Sequence, residues 1–149
     1  MPRLSRRLSL IRLNEEQLCR MADYCRQRGD VLALYIYGSY GTPEQTPLSD
    51  LDLAVLPMPG GNWDLDILLE VMGELVGIGR NDDINVINLK KVPVTLQFRV
   101  LETGRALFIR DPVLLAEFME TVVRRHADFA PDLQAIYRDF DQAIRSEFL

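Results

Sequence analysis

Residues 37–56 read YGSYGTPEQTPLSDLDLAVL, an apolar run that carries two aspartates, Asp50 and Asp52, where a buried strand seldom tolerates a carboxylate. Alternate residues of a strand share a face, so Asp50 and Asp52 project on one side while Leu51, Leu53 and Val55 project on the other. Carboxylates spaced in this way lie about 6 to 7 Å apart along the backbone and can converge on one cation. Mg²⁺ is the natural candidate, because it prefers hard oxygen ligands and binds through one or two carboxylates together with substrate phosphates and water. The acid pair therefore points to a metal held jointly with a nucleotide. Upstream, Gly38 lets a phosphate approach the backbone, and Ser39 offers a hydroxyl and an N–H in what reads as a helix start.

The flanking sequence supplies an α/β framework for this stretch. NEEQLCRMADYCRQR, residues 14–28, is an amphipathic helix with Asn14 as N-cap, Gln17 completing a capping box and Gly29 as its stop. VLALYIY, 31–37, is an inner strand, apolar on both faces, and DLDLAVL, 50–56, is a second strand. Residues 63–78 form a helix capped by Asn62, 83–89 a strand, 94–103 a helix ending at Gly104, and RALFI an edge strand. From Pro112 the chain is helical, with an interruption at Pro131. The order helix, strand, strand, helix, strand, helix, strand, helix predicts an α/β (α+β) layered domain with a small mixed sheet and a helical tail over 111–149.

With 149 residues, 48% of them hydrophobic, the chain is expected to be one domain, 1–149, with a core of its own. A net charge of -5 argues against a surface built to grip nucleic acid. Arg3, Arg6, Arg7 and Arg12 cluster in a first dozen residues that read as a solvated tail or as a contact for phosphate or an acidic partner. No secretory leader is evident, and no apolar stretch reaches the roughly 18 residues that span a bilayer, so a reduced cytoplasmic protein is expected. Cys19 and Cys25 point in different directions on one helix and are too far apart to bridge. His126 lacks the companions of a zinc site, and Arg124 and Arg125 beside it read as a charged helix face. The tail carries Leu115, Phe118, Met119, Val122 and Val123 in a helical rhythm suited to core packing, with an exposed remainder for a helical partner.

Gly38-Ser39, ten intervening residues and Asp50-Leu51-Asp52 resemble the GSX10DXD signature of the DNA polymerase β-like nucleotidyltransferases. Within that superfamily LYIYGSY, SDLDLAVL, INVINLKKVP and VLETGRALF are most similar to the minimal nucleotidyltransferases, the MntA-type antitoxins paired with HEPN-domain toxins. The resemblance implies the nucleotidyltransferase fold and ATP as substrate. It also implies Gly38, Ser39 and Ser49 as nucleotide-binding residues and Asp50 and Asp52 as catalytic ligands of Mg²⁺. The acceptor it implies is a tyrosine hydroxyl of the partner toxin, silenced by adenylylation.

Two departures accompany the resemblance. The family's third carboxylate falls on the later strand, where this chain reads INVINL and places Asn85. An amide carries no charge and takes no proton at neutral pH, which weakens both metal affinity and base catalysis. Asp83, two residues earlier on the same face, either substitutes for that acid or stands as a solvated strand-end carboxylate, depending on where the strand begins. The segment after GS, where the family often carries arginines, reads Tyr40-Gly41-Thr42-Pro43. Two functions stay open: an adenylyltransferase antitoxin, or the same fold impaired at Asn85 and neutralising its toxin by binding alone. Transfer to a small molecule is a third, for which the chain has little room for a substrate domain.

Overall fold

The computed structural model describes residues 12–47, 50–80 and 83–128. Helix α1 (Glu15–Arg28) starts on the expected capping box: the Gln17 N–H donates to the Asn14 side chain at 2.7 Å, and the Asn14 N–H donates to Gln17 Oε1 at 2.9 Å. It ends at Gly29, whose φ of 79° is left-handed. Strand β1 (Val31–Tyr37) follows at once, then β2 (Leu51–Pro57), α2 (Leu65–Gly79), β3 (Ile84–Asn88), α3 (Val94–Thr103) and β4 (Arg105–Ile109). A fourth helix, α4, runs over 112–128. The positions proposed beyond it, including Pro131, lie outside the described residues.

The sheet has the order β3-β2-β1-β4. Strand β1 is antiparallel to both β2 and β4, whereas β3 is parallel to β2, reached through α2 as a parallel crossover requires. The inner position of β1 accounts for its apolar residues on both faces. Met21 and Cys25 of α1 and Val71, Leu75 and Ile78 of α2 pack on one face against Leu34, Ile36, Leu53 and Val55. On the other face Leu32, Tyr35, Ala54 and Leu56 meet Val100 of α3 and Leu115 of α4. The result is a mixed sheet between two helical layers, the α/β class expected from the sequence.

Three local expectations are corrected. Helix α2 begins at Leu65, not at 63, and its cap is Asp64, whose carboxylate accepts the Ile67 N–H at 2.9 Å. Trp63 is drawn into the first core at 3% exposure, with the Arg28 guanidinium 5.5 Å from its ring centroid, and this holds the chain out of helix until Asp64. Strand β3 begins at Ile84, which leaves Asp83 in the preceding turn. The Gly38-Ser39 step opens a turn and not a helix: the Thr42 N–H donates to the Ser39 carbonyl at 3.0 Å, and Gly41 at φ 74° is left-handed.

Cys19 is exposed and Cys25 buried, both as free thiols. In α4, Leu115 and Val122 are buried while Val113 and Val123 remain exposed, so its apolar rhythm is divided between core and surface. The His126 ring stacks on Phe98 of α3 at a centroid distance of 3.9 Å. No helix among the described residues is long and apolar enough to cross a membrane.

Candidate active site

The site is assembled by strand register. Asp52 in β2 pairs with Tyr37 in β1 on one side and with Asn85 in β3 on the other, a row across three strands at one end of the sheet. Immediately after Tyr37 the chain turns at Gly38, with φ of 79°. A Cβ at that position would lie 2.6 Å from Asp52 Oδ2. Glycine is thus required twice over, for the left-handed backbone and for the space occupied by the carboxylate. The fold thus sets the Asp52 carboxylate in the space beside Gly38.

Asp50 joins the row through Asn85, whose Nδ2 donates to Asp50 Oδ2 at 3.1 Å. Asp52 and Tyr37 at the centre are both shifted by burial. Burial holds the Asp52 carboxyl above its ordinary range, the hydrogen bond from Asn85 lowers it, and the neighbouring Asp50 charge raises it. Tyr37 is pushed up to about 12, first by burial and then by the Asp52 charge. Tyr37 was not singled out in the sequence. Its place directly before the glycine turn, on a strand antiparallel to the acid pair, was the available signal.

Asp83 does not join this pair. It is 8% exposed, its backbone carbonyl accepts the Leu51 N–H at 2.9 Å, and it precedes the first pleat of β3. Among the described residues no group of three or more His, Cys, Asp or Glu side chains is placed to hold a metal ion. Ser39 lies in the turn beside Gly38, and Ser49 falls outside the described residues. The donor set is therefore two carboxylates and one amide, all hard oxygen donors once the amide presents its carbonyl, with the glycine backbone of Gly38 beside them. That suits a cation whose remaining ligands come from a phosphorylated substrate and water, and it does not suit an all-protein metal cage.

A glycine turn at the end of one strand thus faces the Asp52 carboxylate near the start of the next. The sequence profile of the family described as "Polymerase beta, Nucleotidyltransferase" matches residues 20–113, more than half of the chain, and the chain belongs to this family. The fold is also that of several solved structures. A chain of a toxin–antitoxin complex with AMP-PNP superposes with a TM-score of 0.65 at 22% identity, covering 86% of this chain and 98% of that one. A chain from the complex of a tri-AMPylated Shewanella oneidensis HEPN toxin with MNT antitoxin gives 0.65 at 19%, with 86% and 98% covered. One from an MntA–HepT toxin–antitoxin complex gives 0.63 at 18%, with 85% and 98% covered. No curated protein matches the sequence.

Proposed function

We propose that this chain is a cytoplasmic antitoxin that transfers AMP from ATP to a tyrosine hydroxyl of a HEPN-domain toxin and so neutralises it. The observation that supports the reading is the Asp52 carboxylate lying 2.6 Å from where a Cβ at Gly38 would stand, so that the glycine turn and a carboxylate share one end of the sheet. The antitoxin role rests on the shared fold with chains of toxin–antitoxin complexes, one of them with AMP-PNP.

In this reading Asp50 and Asp52 hold Mg²⁺, which when bound neutralises charge on the reacting phosphates. The Gly38-Ser39 backbone receives the triphosphate, with the Ser39 and Ser49 hydroxyls as further donors. The acceptor oxygen forms a bond to the α-phosphorus, the bond from that phosphorus to the bridging oxygen breaks, and pyrophosphate departs. The acceptor proton passes to a carboxylate of the pair or to solvent, because the Asn85 amide cannot take it. Tyr37 keeps its own proton at neutral pH beside Asp52.

A second reading is favoured by the Asn85 to Asp50 hydrogen bond, in which a neutral donor stands where a third acid would bind metal. The site would then hold ATP weakly, and neutralisation would come from occlusion of the toxin. Incubation with the HEPN protein and labelled ATP, followed by intact mass measurement of the partner, separates the two. Addition of adenylate that is abolished by Asp52→Asn supports transfer; toxin neutralisation with no mass gain leaves binding alone.

A further inference from the structure

The two outer strands of the sheet are built differently. Strand β4 opens with the charged Arg105, and its pairing with β1 shifts register between Leu34 and Tyr35. Charge and irregular pairing both protect an exposed edge from adding a further strand. Strand β3 has neither: Ile84–Asn88 reads INVIN, without charge or proline, and pairs with β2 in unbroken register. The Leu51 N–H donates to the Asp83 carbonyl and the Leu89 N–H to the Val55 carbonyl, so the odd-numbered residues here turn their backbone toward β2. The N–H and carbonyl groups of Ile84 and Val86 therefore turn outward, and no strand among the described residues lies beside them.

Helix α2 continues this edge with apolar side chains. Its flank toward α1 is acidic: Glu70 lies 3.6 Å from Arg28, and the Glu74 charge acts on Tyr24. The opposite flank, above the β3 edge, carries Leu65, Leu69, Met72 and Val76 at helical spacing. Leu65 is 67% exposed and Leu69 51%. Leu65 and Leu68 line an open pocket of about 390 Å³ together with Val86 and Ile87 of β3. The ends of α2 are opposite in charge, with Asp64 and Asp66 exposed at its start and Arg80 exposed at its end.

We propose that β3 and α2 form the interface with a second copy of this chain, β3 pairing antiparallel with its counterpart about a two-fold axis near Val86. Charge selects this occupant. The two-fold sets the α2 helices antiparallel, so Asp64 and Asp66 of one copy meet Arg80 of the other, whereas a parallel arrangement would set acid against acid. Spacing agrees. Strands lie about 4.8 Å apart, so helices that cover the outer two strands of each copy come to about 10 Å from one another, the distance at which helices pack. Leu65 and Leu69 then leave water together with the outward backbone of β3. Asp52 and Asn85 lie on the opposite face, that of Ala54 and Leu56, so the pairing does not cover the acid row. The interface stands independently of the nucleotide reading.

The test is sedimentation equilibrium of the full chain alone, from about 1 to 200 μM, a range that brackets a micromolar dissociation constant. The parent should be dimeric at the upper end. Leu65→Glu combined with Leu69→Glu, both at exposed positions, should keep the circular dichroism of the parent and raise the dissociation constant at least about tenfold. Asp66→Arg and Arg80→Asp should each weaken association by about tenfold, and the double variant should recover it, which a mere loss of helix stability would not do. A parent that stays monomeric throughout overturns the proposal, as does a dimer unaffected by the two glutamates. Failure of the charge-swapped double variant to recover overturns the antiparallel arrangement. A monomer whose β3 amides gain protection from hydrogen exchange only when a HEPN protein is added gives the edge to that partner and overturns the second-copy assignment.

Discussion

Asn85 Nδ2 donates a hydrogen bond to Asp50 Oδ2 at 3.1 Å, joining the edge strand β3 to the residue just before β2. A neutral amide here relieves the repulsion that a third carboxylate would add beside Asp50 and Asp52. Asn85→Asp replaces that donor with a charge, so the variant without metal should be less stable at neutral pH by about 1–2 kcal/mol. Mg²⁺ with ATP should restore the loss and raise its melting temperature more than it raises that of the parent. Melting curves with and without Mg²⁺ and ATP check both statements; an equal shift in the two proteins would count against a metal held at this row.

Gly38 and Gly29 share a φ of 79°, yet only Gly38 has the Asp52 carboxylate where a Cβ would go. Alanine at either position should cost about 1–2 kcal/mol for the left-handed backbone. Gly38→Ala should cost more and, by displacing Asp52, weaken ATP binding by about tenfold or more, since a 1.4 kcal/mol loss corresponds to that factor. Gly29→Ala should leave ATP binding unchanged. Denaturation and nucleotide titration of both variants separate backbone strain from displacement of the carboxylate.

The Asp52 carboxyl titrates above its ordinary range of 3.8 because burial outweighs the hydrogen bond from Asn85. A raised value in the folded state means that protonated Asp52 favours folding. Its contribution is fully present below the unfolded value and is lost as pH rises through the folded value. Asp52→Asn should therefore melt higher than the parent at pH 7 in the absence of metal, with the gap closing as pH falls below about 4. The same variant should lose adenylyl transfer. A parallel pair of melting curves from pH 3.5 to 7.5 provides the check.

Arg110 secures the junction of α1, β1 and β4. Its Nε donates to the Val31 carbonyl at 2.7 Å, and Nη2 donates to the Cys25 and Arg26 carbonyls, both at 2.8 Å. The guanidinium also lies 5.2 Å from the Phe108 ring centroid. It thereby serves carbonyls at the end of α1 that have no partner within the helix. Arg110→Met should cost about 2–3 kcal/mol, lowering the denaturation midpoint while leaving ATP affinity within about twofold of the parent.

Local chemistry made much of this protein legible before its fold was known. The Asn14 and Gln17 capping box, the Gly29 stop, the apolar run of β1, and the limits of α3 and β4 depend on residues within a few positions of one another. The strand character of 50–56 and the sidedness of Asp50 and Asp52 follow from alternation alone. The resemblance to the nucleotidyltransferases is carried by Gly38-Ser39 and the acid pair, and the family match over 20–113 bears it out. The cap of α2 was misplaced because the burial of Trp63, a tertiary demand, outweighed the local preference for Asn62.

What tertiary structure decided is which distant groups meet. The parallel crossover through α2 sets Asn85 opposite Asp52, and that register, not the spacing along the chain, lets the amide reach Asp50. The start of β3 at Ile84 leaves Asp83 in the preceding turn, off the strand row of Asp52 and Asn85. Antiparallel pairing of β4 with β1 sets Arg105 opposite Ile36, and the Leu13 to Tyr40 hydrogen bond ties the segment before α1 to the residues after Ser39. Alternation and capping act over one to four residues and are written in the sequence itself. Register between strands is a balance of packing over the whole sheet, and it exists only once the chain has folded.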